Sequence, residues 1–526
     1  MAVFELVIVL LLVGAVLAAW ARRLNLPYPA LLALAGAGLA LIPNVPSVTL
    51  DPQLALALFV APVLLDAAFD TSPRDLKRHW RPVASLALFT VAVTVAAVAV
   101  VARWSVPALP WPAAIALGAI VAPPDAAAAI TVLRQLRPPH RLLVILGGES
   151  LLNDATALLI YRLAVAAAMT GAISGWKVIP TLAFVAIGSV VLGAVLSRVT
   201  LRVTSGIEDI ATAVIVQFLS TFGVWIIAER LGLSGIITMV VYAILVAREA
   251  PDLIPARVRV PSYAVWEVVV FVLNALAFIL VGLQLKPILN RLNGTELVRY
   301  TLVAALVCLT VILVRILWVT GYVMVARWAQ PRPTRSPDEY PSFRAAAVVA
   351  WCGMRGTVTL AAALALPDGP PGTRFPYRDL ILFTAFSVVL VTLVIQGMTV
   401  RPLMRALDLH DDGTVEREVQ LARAETARAA LDAVDHGDGG GELIQLFRRK
   451  YQDRLRKAER ASRGSPAADG DGESDFTEVQ RRAQAAERRT LSDLRTQGVI
   501  GDDAFHRVEE ELDWAEMHRE GMARGG

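Results

Sequence analysis

Charge is scarce in this sequence: only 18% of its 526 residues are Asp, Glu, Lys or Arg, and 56% are hydrophobic. A soluble domain carries roughly a quarter charged residues, so the shortage excludes an ordinary water-soluble fold for most of the chain. Cysteine is scarcer still. Cys308 and Cys352 both lie in apolar runs, define neither a disulfide framework nor a metal site, and say little of the redox compartment. Histidine is missing from the apolar runs, because His79, His140, His410, His436, His506 and His518 fall in connections or in the charged carboxy-terminal part. That excludes His-assisted serine chemistry and His-ligated metal from the apolar region. Dense basic runs are also lacking; the net charge of +4 is spread along the chain, which argues against a nucleic-acid partner. No basic leader or small-residue cleavage site precedes Arg22 and Arg23, so Val3 to Trp20 reads as a retained helix rather than a signal peptide.

What the chain has is apolar length. Runs near the roughly 20 residues needed for a helical crossing fill it from the start to about Leu407. Apolar windows between polar or proline-containing breaks predict about thirteen crossings, beginning near residues 3, 26, 54, 82, 112, 142, 177, 210, 234, 264, 298, 343 and 378. Ser234 to Ala247 is the weakest of them. The expected class is therefore an all-α membrane protein. Basic residues cluster in alternate connections (Arg22 and Arg23; Arg74, Lys77, Arg78 and Arg81; Arg134, Arg137 and Arg141; Arg198 and Arg202; Arg248, Arg257 and Arg259; Arg327, Arg332, Arg335 and Arg344). Basic connections face the cytoplasm, which sets the amino terminus outside and the tail inside. Beyond Leu407 the chain turns charged and Ala-rich. Residues 408–526 are expected to form a soluble, helical cytoplasmic tail, with helices over Glu416 to Val434, Glu442 to Ala461 and Phe476 to Glu520, and a flexible linker near 462–475.

Two crossings are interrupted. The fifth, AIALGAIVAPPDAAAAITVL, has Pro123 and Pro124 at its centre with Asp125 next, and the twelfth, AAAVVAWCGMRGTVTLAAAL, has Gly353 and Gly356 around Arg355. Proline removes a backbone donor and glycine weakens a helix; unwound backbone at membrane depth is tolerated only where it lines a cavity or is buried in protein. The breaks lie seven crossings apart, an odd number, which predicts two inverted six-helix repeats. Paired breaks in corresponding positions point to an ion site at the midplane.

Each carboxylate inside an apolar crossing costs about 2.5–3.5 kcal/mol on insertion and asks for a reason. The candidates are Asp66, Asp125, Glu149 and Asp154, with Arg355 as the cation. Ser150 and Asp154 share one helix face, and Glu149 and Asn153 an adjacent one. Carboxylate, hydroxyl and backbone carbonyl oxygens replace the hydration shell of a hard cation; Asp154, Ser150 and the carbonyls freed near Pro124 supply that set. Burial favours the neutral form of an aspartate, so a proton and a metal ion compete for Asp154. Arg355 is expected to pair with Glu149, and Asp125 reads equally as an N-cap or an ion contact.

The segments GESLLNDATALLIY, APPDAAAAITVL, WEVVVFVLNALAFILVGLQL and GMRGTVTLAAALALP together resemble bacterial sodium/proton antiporters of the sodium/proton exchanger branch. The resemblance covers residues 1 to about 407. It implies a thirteen-span fold with crossed discontinuous helices, a homodimer, and no cofactor beyond the transported ions. It also implies ion-binding roles for Asp154 and Ser150, a supporting role for Asn153, a salt bridge between Glu149 and Arg355, the unwound crossing at Asp125, and an acidic residue facing the site at Asp66. Many members have Thr-Asp-Pro where this chain has Pro124-Asp125-Ala126, which removes a threonine hydroxyl from the shell. An Asn-Asp motif goes with electroneutral exchange in the family. The expected activity is exchange of Na+, or of K+ or Li+, for H+ across the cell membrane. An intramembrane aspartyl hydrolase using Asp66 and Asp154 lacks a Gly-x-Gly-Asp segment, and a cation channel is distinguished by its lack of proton coupling.

Overall fold

The computed structural model describes residues 2–409, apart from 25–26, 44–51, 70, 72, 135, 137, 171–174, 255, 293, 330–341 and 369–373, together with scattered positions between 411 and 456. The chain divides into two compact units, Met1–Asp412 and Gly413–Gly526. The helices and linker expected in the tail fall almost entirely outside the described residues.

Within the first unit the described residues are helical, without strands. In chain order the principal helices are α1 (Ala2–Leu24), α2 (Tyr28–Leu41), α3 (Leu56–Phe69), α4 (Trp80–Ser105), α5 (Trp111–Val121), α6 (Ala126–Arg134), α7 (His140–Thr170) and α8 (Gly175–Thr204). They continue with α9 (Ile210–Arg230), α10 (Gly235–Leu253), α11 (Ala256–Leu283), α12 (Gly294–Ala329), α13 (Phe343–Trp351), α14 (Thr357–Leu364) and α15 (Arg378–Ala406). Among the described residues, seven helical segments are long and apolar enough to cross a membrane unaided: Trp80–Ser105, His140–Thr170, Ala183–Thr204, Ile210–Arg230, Pro261–Leu289, Gly294–Ala329 and Arg378–Ala406. Shorter apolar helical segments are Val7–Ala21, Tyr28–Leu41, Leu56–Phe69 and Trp111–Val121. The weak Ser234 window is a helix, α10, whose start is fixed by the Ser234 hydroxyl accepting the Ile237 amide at 3.4 Å. Asp209 caps α9, accepting the Thr212 amide at 2.8 Å, and that bond holds its carboxyl below the usual carboxylate range.

Lipid tails are as apolar as leucine, so helices gain little from apolar burial against each other and associate through close packing. Small residues make that packing possible. Where α2 crosses α11, a methyl group on Gly36 or Gly282 would overlap the other helix's backbone, so only glycine fits at that crossing. On α5, Ala113, Ala114, Ala116, Gly118 and Ala119 are buried, and a Cβ on Gly118 would stand 2.7 Å from the Val95 carbonyl of α4. One apolar cluster joins α4, α5, α12 and α15 through Val95, Leu117, Val311 and Leu380. α5, which leads into the first break, and α14, which follows the second, both pack into this cluster, α14 through Ala362 and Ala363.

Candidate functional site

Both interruptions are present. Residues 122–125 separate α5 from α6, and residues 352–356 separate α13 from α14. The two unwound stretches meet, and the Asp125 amide donates to the Met354 carbonyl at 2.6 Å. A helix carries partial positive charge at its N-terminus and partial negative charge at its C-terminus, and each break supplies the charge that the other one needs. The Asp125 carboxylate lies directly against Gly356, the N-cap of α14. Arg355 donates through Nε to the Val121 carbonyl at 2.9 Å, through Nη2 to Ala122 at 3.2 Å and through Nη1 to Gly353, so its charge rests on the C-terminus of α5. Its own amide donates to Thr392 Oγ1 at 3.0 Å.

A Cβ at residue 356 would overlap the Asp125 carboxylate outright. Gly356→Ala is therefore expected to push the breaks apart, with a cost of about 1–3 kcal/mol, the usual range for overpacking. The measurement is a lowered melting temperature of the detergent-purified protein together with impaired ion exchange; an unshifted melt would show that the contact is not tight.

α7 passes beside the crossing and brings the Asn-Asp pair to it. Asn153 is fully buried, and its Nδ2 donates to the Pro124 carbonyl at 3.2 Å. Of the carbonyls freed by the break, Val121 and Ala122 are thus taken by Arg355, and Pro124 already has one donor. A carbonyl keeps a second lone pair, so Pro124 retains acceptor capacity. Asp154 is 6% exposed and has no hydrogen bond or ion pair among the described residues; Asp125 is the charged group that acts on it most strongly. Ser150, one turn earlier on the same face, is half-buried. Asp66, half-buried on α3, flanks the same region, since Leu64 and Leu65 pack in one cluster with Leu151 of α7. Tyr28 of α2 lies within electrostatic reach of both Asp125 and Asp66. The sequence candidates Asp66, Asp125, Ser150, Asn153 and Asp154 therefore gather around one crossing.

One expected pairing is corrected. Glu149 does not bond Arg355; its partner is Arg315 of α12, which grips the carboxylate with both Nη groups, Nη2 to Oε2 at 2.8 Å. Both residues are 1% exposed. Arg315 also donates through Nε and Nη2 to the Val349 carbonyl at 3.2 and 3.0 Å, in the last turn of α13. The physical reason is that Arg355 spends its donors on the carbonyls of the opposite break, leaving Glu149 to the other buried guanidinium. Gly353 lies between the two, with space for a Cβ blocked by Arg315 Cδ at 2.5 Å and Arg355 Nη1 at 3.0 Å. Arg315 is not among the sequence candidates, yet its signal is there: one arginine inside the apolar run VILVRILWV, where a charge is expensive.

The far end of α14 is held in the same manner. Arg378, 7% exposed, donates to the Leu366 and Leu364 carbonyls at 3.0 and 3.4 Å and pairs with Asp368 at 3.0 Å. Three half-helix C-termini, those of α5, α13 and α14, thus each end on a buried guanidinium. Beside Arg378 opens a cavity of about 390 Å³ bordered by Arg291, Asp368 and Asp379. An apolar pocket of about 30 Å³ shares Gln284 and Leu364 with it and reaches Thr357 at the start of α14.

The family model described as "Sodium/hydrogen exchanger, transmembrane" matches residues 8–406. An uncharacterized Na(+)/H(+) exchanger of Mycobacterium tuberculosis is 31% identical over 98% of this chain and 96% of its own length. The "sodium, potassium, lithium and rubidium/H(+) antiporter" of Bacillus pumilus is 29% identical over 83% of this chain and 66% of its own. Among solved structures, the sodium proton antiporter MjNhaP1 from Methanocaldococcus jannaschii superposes with a TM-score of 0.60 at 19% identity, covering 76% of this chain and 98% of that one. At that identity the likeness speaks for the fold alone.

Proposed function

The chain belongs to the sodium/hydrogen exchanger family, as a multi-pass membrane antiporter of cations and protons, and on that premise we propose that Asp154 is the group for which the two substrates compete. The observation that carries this is a carboxylate buried on a membrane-spanning helix with no hydrogen-bond or ion-pair partner among the described residues. A buried charge without a partner is costly, so the group must hold a proton or a cation whenever it is shut from water. That requirement is enough for antiport under alternating access: an empty, charged site cannot cross, and either ion licenses the change of facing.

Ser150 supplies a hydroxyl to the cation on the same face, Pro124 a carbonyl, and Asp125 and Asp66 negative potential around it. Asn153 acts as a support, since its amide is committed to Pro124. Glu149 and Arg315 neutralise each other, and Arg355 neutralises helix ends; none of these three is a ligand. With a neutral Asn153 before it, Asp154 is the single carboxylate of the motif, which supports one cation for one proton and electroneutral exchange. The reading further takes the chain as thirteen crossings in two inverted repeats, with the amino terminus outside, the tail in the cytoplasm, and two chains to a functional unit in the lipid bilayer. Sodium is the first substrate to test; the name of the Bacillus relative, which includes potassium, lithium and rubidium, supports a K+/H+ alternative.

Purified protein in liposomes, challenged with each alkali cation while lumenal pH is followed, tests this directly. Cation-dependent proton movement is expected with Na+, and a membrane potential imposed with an ionophore should leave its rate unchanged. Current without proton coupling would favour a channel, and a potential-dependent rate would exclude one-for-one exchange.

A further inference from the structure

Gln396 is fully buried, and neither its Nε2 nor its Oε1 has a hydrogen-bond partner among the described residues. It closes the π-helical stretch Thr392–Gln396 in α15. Such stretches insert a residue into a helix, weaken its bonding and recur at functional sites. This one lies along the second break. On one side of Gln396, Thr392 accepts the Arg355 amide at 3.0 Å. On the other, Trp351 Nε1 donates to Thr399 Oγ1 at 2.8 Å. Between them, Met354 Sδ stands 3.3 Å from where a Cβ on the adjacent Gly397 would lie. Thr392, Gln396 and Thr399 are spaced to share a helix face, and both of Gln396's neighbours on that face bond residues of the 351–355 stretch. An amide that can donate and accept is thus buried beside unwound backbone and bonds none of it.

We propose that Gln396 is a positioning residue of the transport step: its amide stands unbonded in the arrangement described here and takes backbone groups of residues 352–356 when the crossing shifts to its other facing. The proposal rests on the antiport reading of the site. A bond made only in the shifted arrangement lowers the free energy of that arrangement relative to this one, and the unpaired amide raises this one. Both effects ease the step out of the present arrangement, and neither touches the ion. An apolar side chain of similar length should therefore stabilise the present arrangement and slow the exchange.

The test uses full-length Gln396→Met and Gln396→Leu, with Thr392→Val as a contrast, because Thr392 makes its bond to Arg355 in the present arrangement. For the Gln396 variants the melting temperature in detergent is expected to rise by about 2 °C. Their exchange rate in liposomes should fall about tenfold, a barrier increase of about 1.4 kcal/mol, at an unchanged half-saturating cation concentration. Thr392→Val should melt lower. Wild-type exchange rates in both Gln396 variants, or lowered melting in both, overturn the proposal; lowered melting would mean that the amide is satisfied here. Asp154→Asn in the same liposomes separates the two claims. Exchange that survives it removes the assignment of the competition to Asp154, whereas its loss beside wild-type rates for the Gln396 variants removes only the role of Gln396.

Discussion

Asp154→Asn is expected to abolish cation-driven proton movement, down to the rate of liposomes without protein, while the chain remains folded. The substitution keeps the side chain's size and replaces a group that can hold either ion by an amide that can hold neither in exchange. Because Asp154 has no hydrogen bond or ion pair among the described residues, no protein contact is lost with its charge. Removing a buried carboxylate whose charged form is poorly solvated should leave the melting temperature equal to or above that of the parent. Loss of transport with retained or increased stability is a signature that a structural role would not give. Ser150→Ala separates ligand from bystander on the same face: a weakened apparent cation affinity at a preserved maximal rate places the hydroxyl on the ion. Exchange that persists in Asp154→Asn would move the competition to Asp125 or Asp66.

The features legible from sequence were those whose physics is local. Pro123 and Pro124 cannot continue a helix, Gly353 and Gly356 weaken one, and both breaks stand where the residues put them. The four-residue spacing of Ser150 and Asp154 set their shared face for the same reason. The meeting of the two breaks was an expectation from resemblance, and its chemistry was not readable. That Asp125 would lie on Gly356 and Arg355 on Val121 and Ala122 depends on how two distant helices cross, which no local spacing encodes. The Glu149 partner failed for a related reason. Arg355 was the visible cation because it sits in a glycine-rich interruption, whereas Arg315 is embedded in an uninterrupted apolar helix, and only the cost of burying its charge marks it. The carbonyl of Pro124 was read as a ligand for the ion; it also anchors Asn153, a contact across 29 positions that depends on the rotation of α7.

The pair formed by Glu149 and Arg315 carries the largest expected effect on stability. Arg315→Leu should destabilise the protein by about 3–5 kcal/mol, because breaking a buried ion pair strands the remaining charge. Glu149→Leu should cost a similar amount, leaving a guanidinium with only the Val349 carbonyl to bond. Replacing both by leucine removes the stranded charge, so the double variant should recover most of the loss. It should not recover all of it, since Val349 at the end of α13 then lacks its donor, a deficit of about 1–3 kcal/mol. Thermal melts of the four proteins give the coupling directly, and a strongly non-additive cycle is expected for residues in contact. The parallel cycle of Glu149→Leu with Arg355→Leu should be closer to additive, because Arg355 bonds the carbonyls of the breaks instead. A larger coupling in that second cycle would reverse the assignment. The two arginines also separate by function. Losing Arg355 leaves α5 ending on uncapped carbonyls beside Asp125, so exchange should fall even under conditions in which the variant is folded. The Glu149→Leu, Arg315→Leu double variant leaves Asp154, Asn153 and Asp125 with their contacts and should retain measurable cation-dependent proton movement.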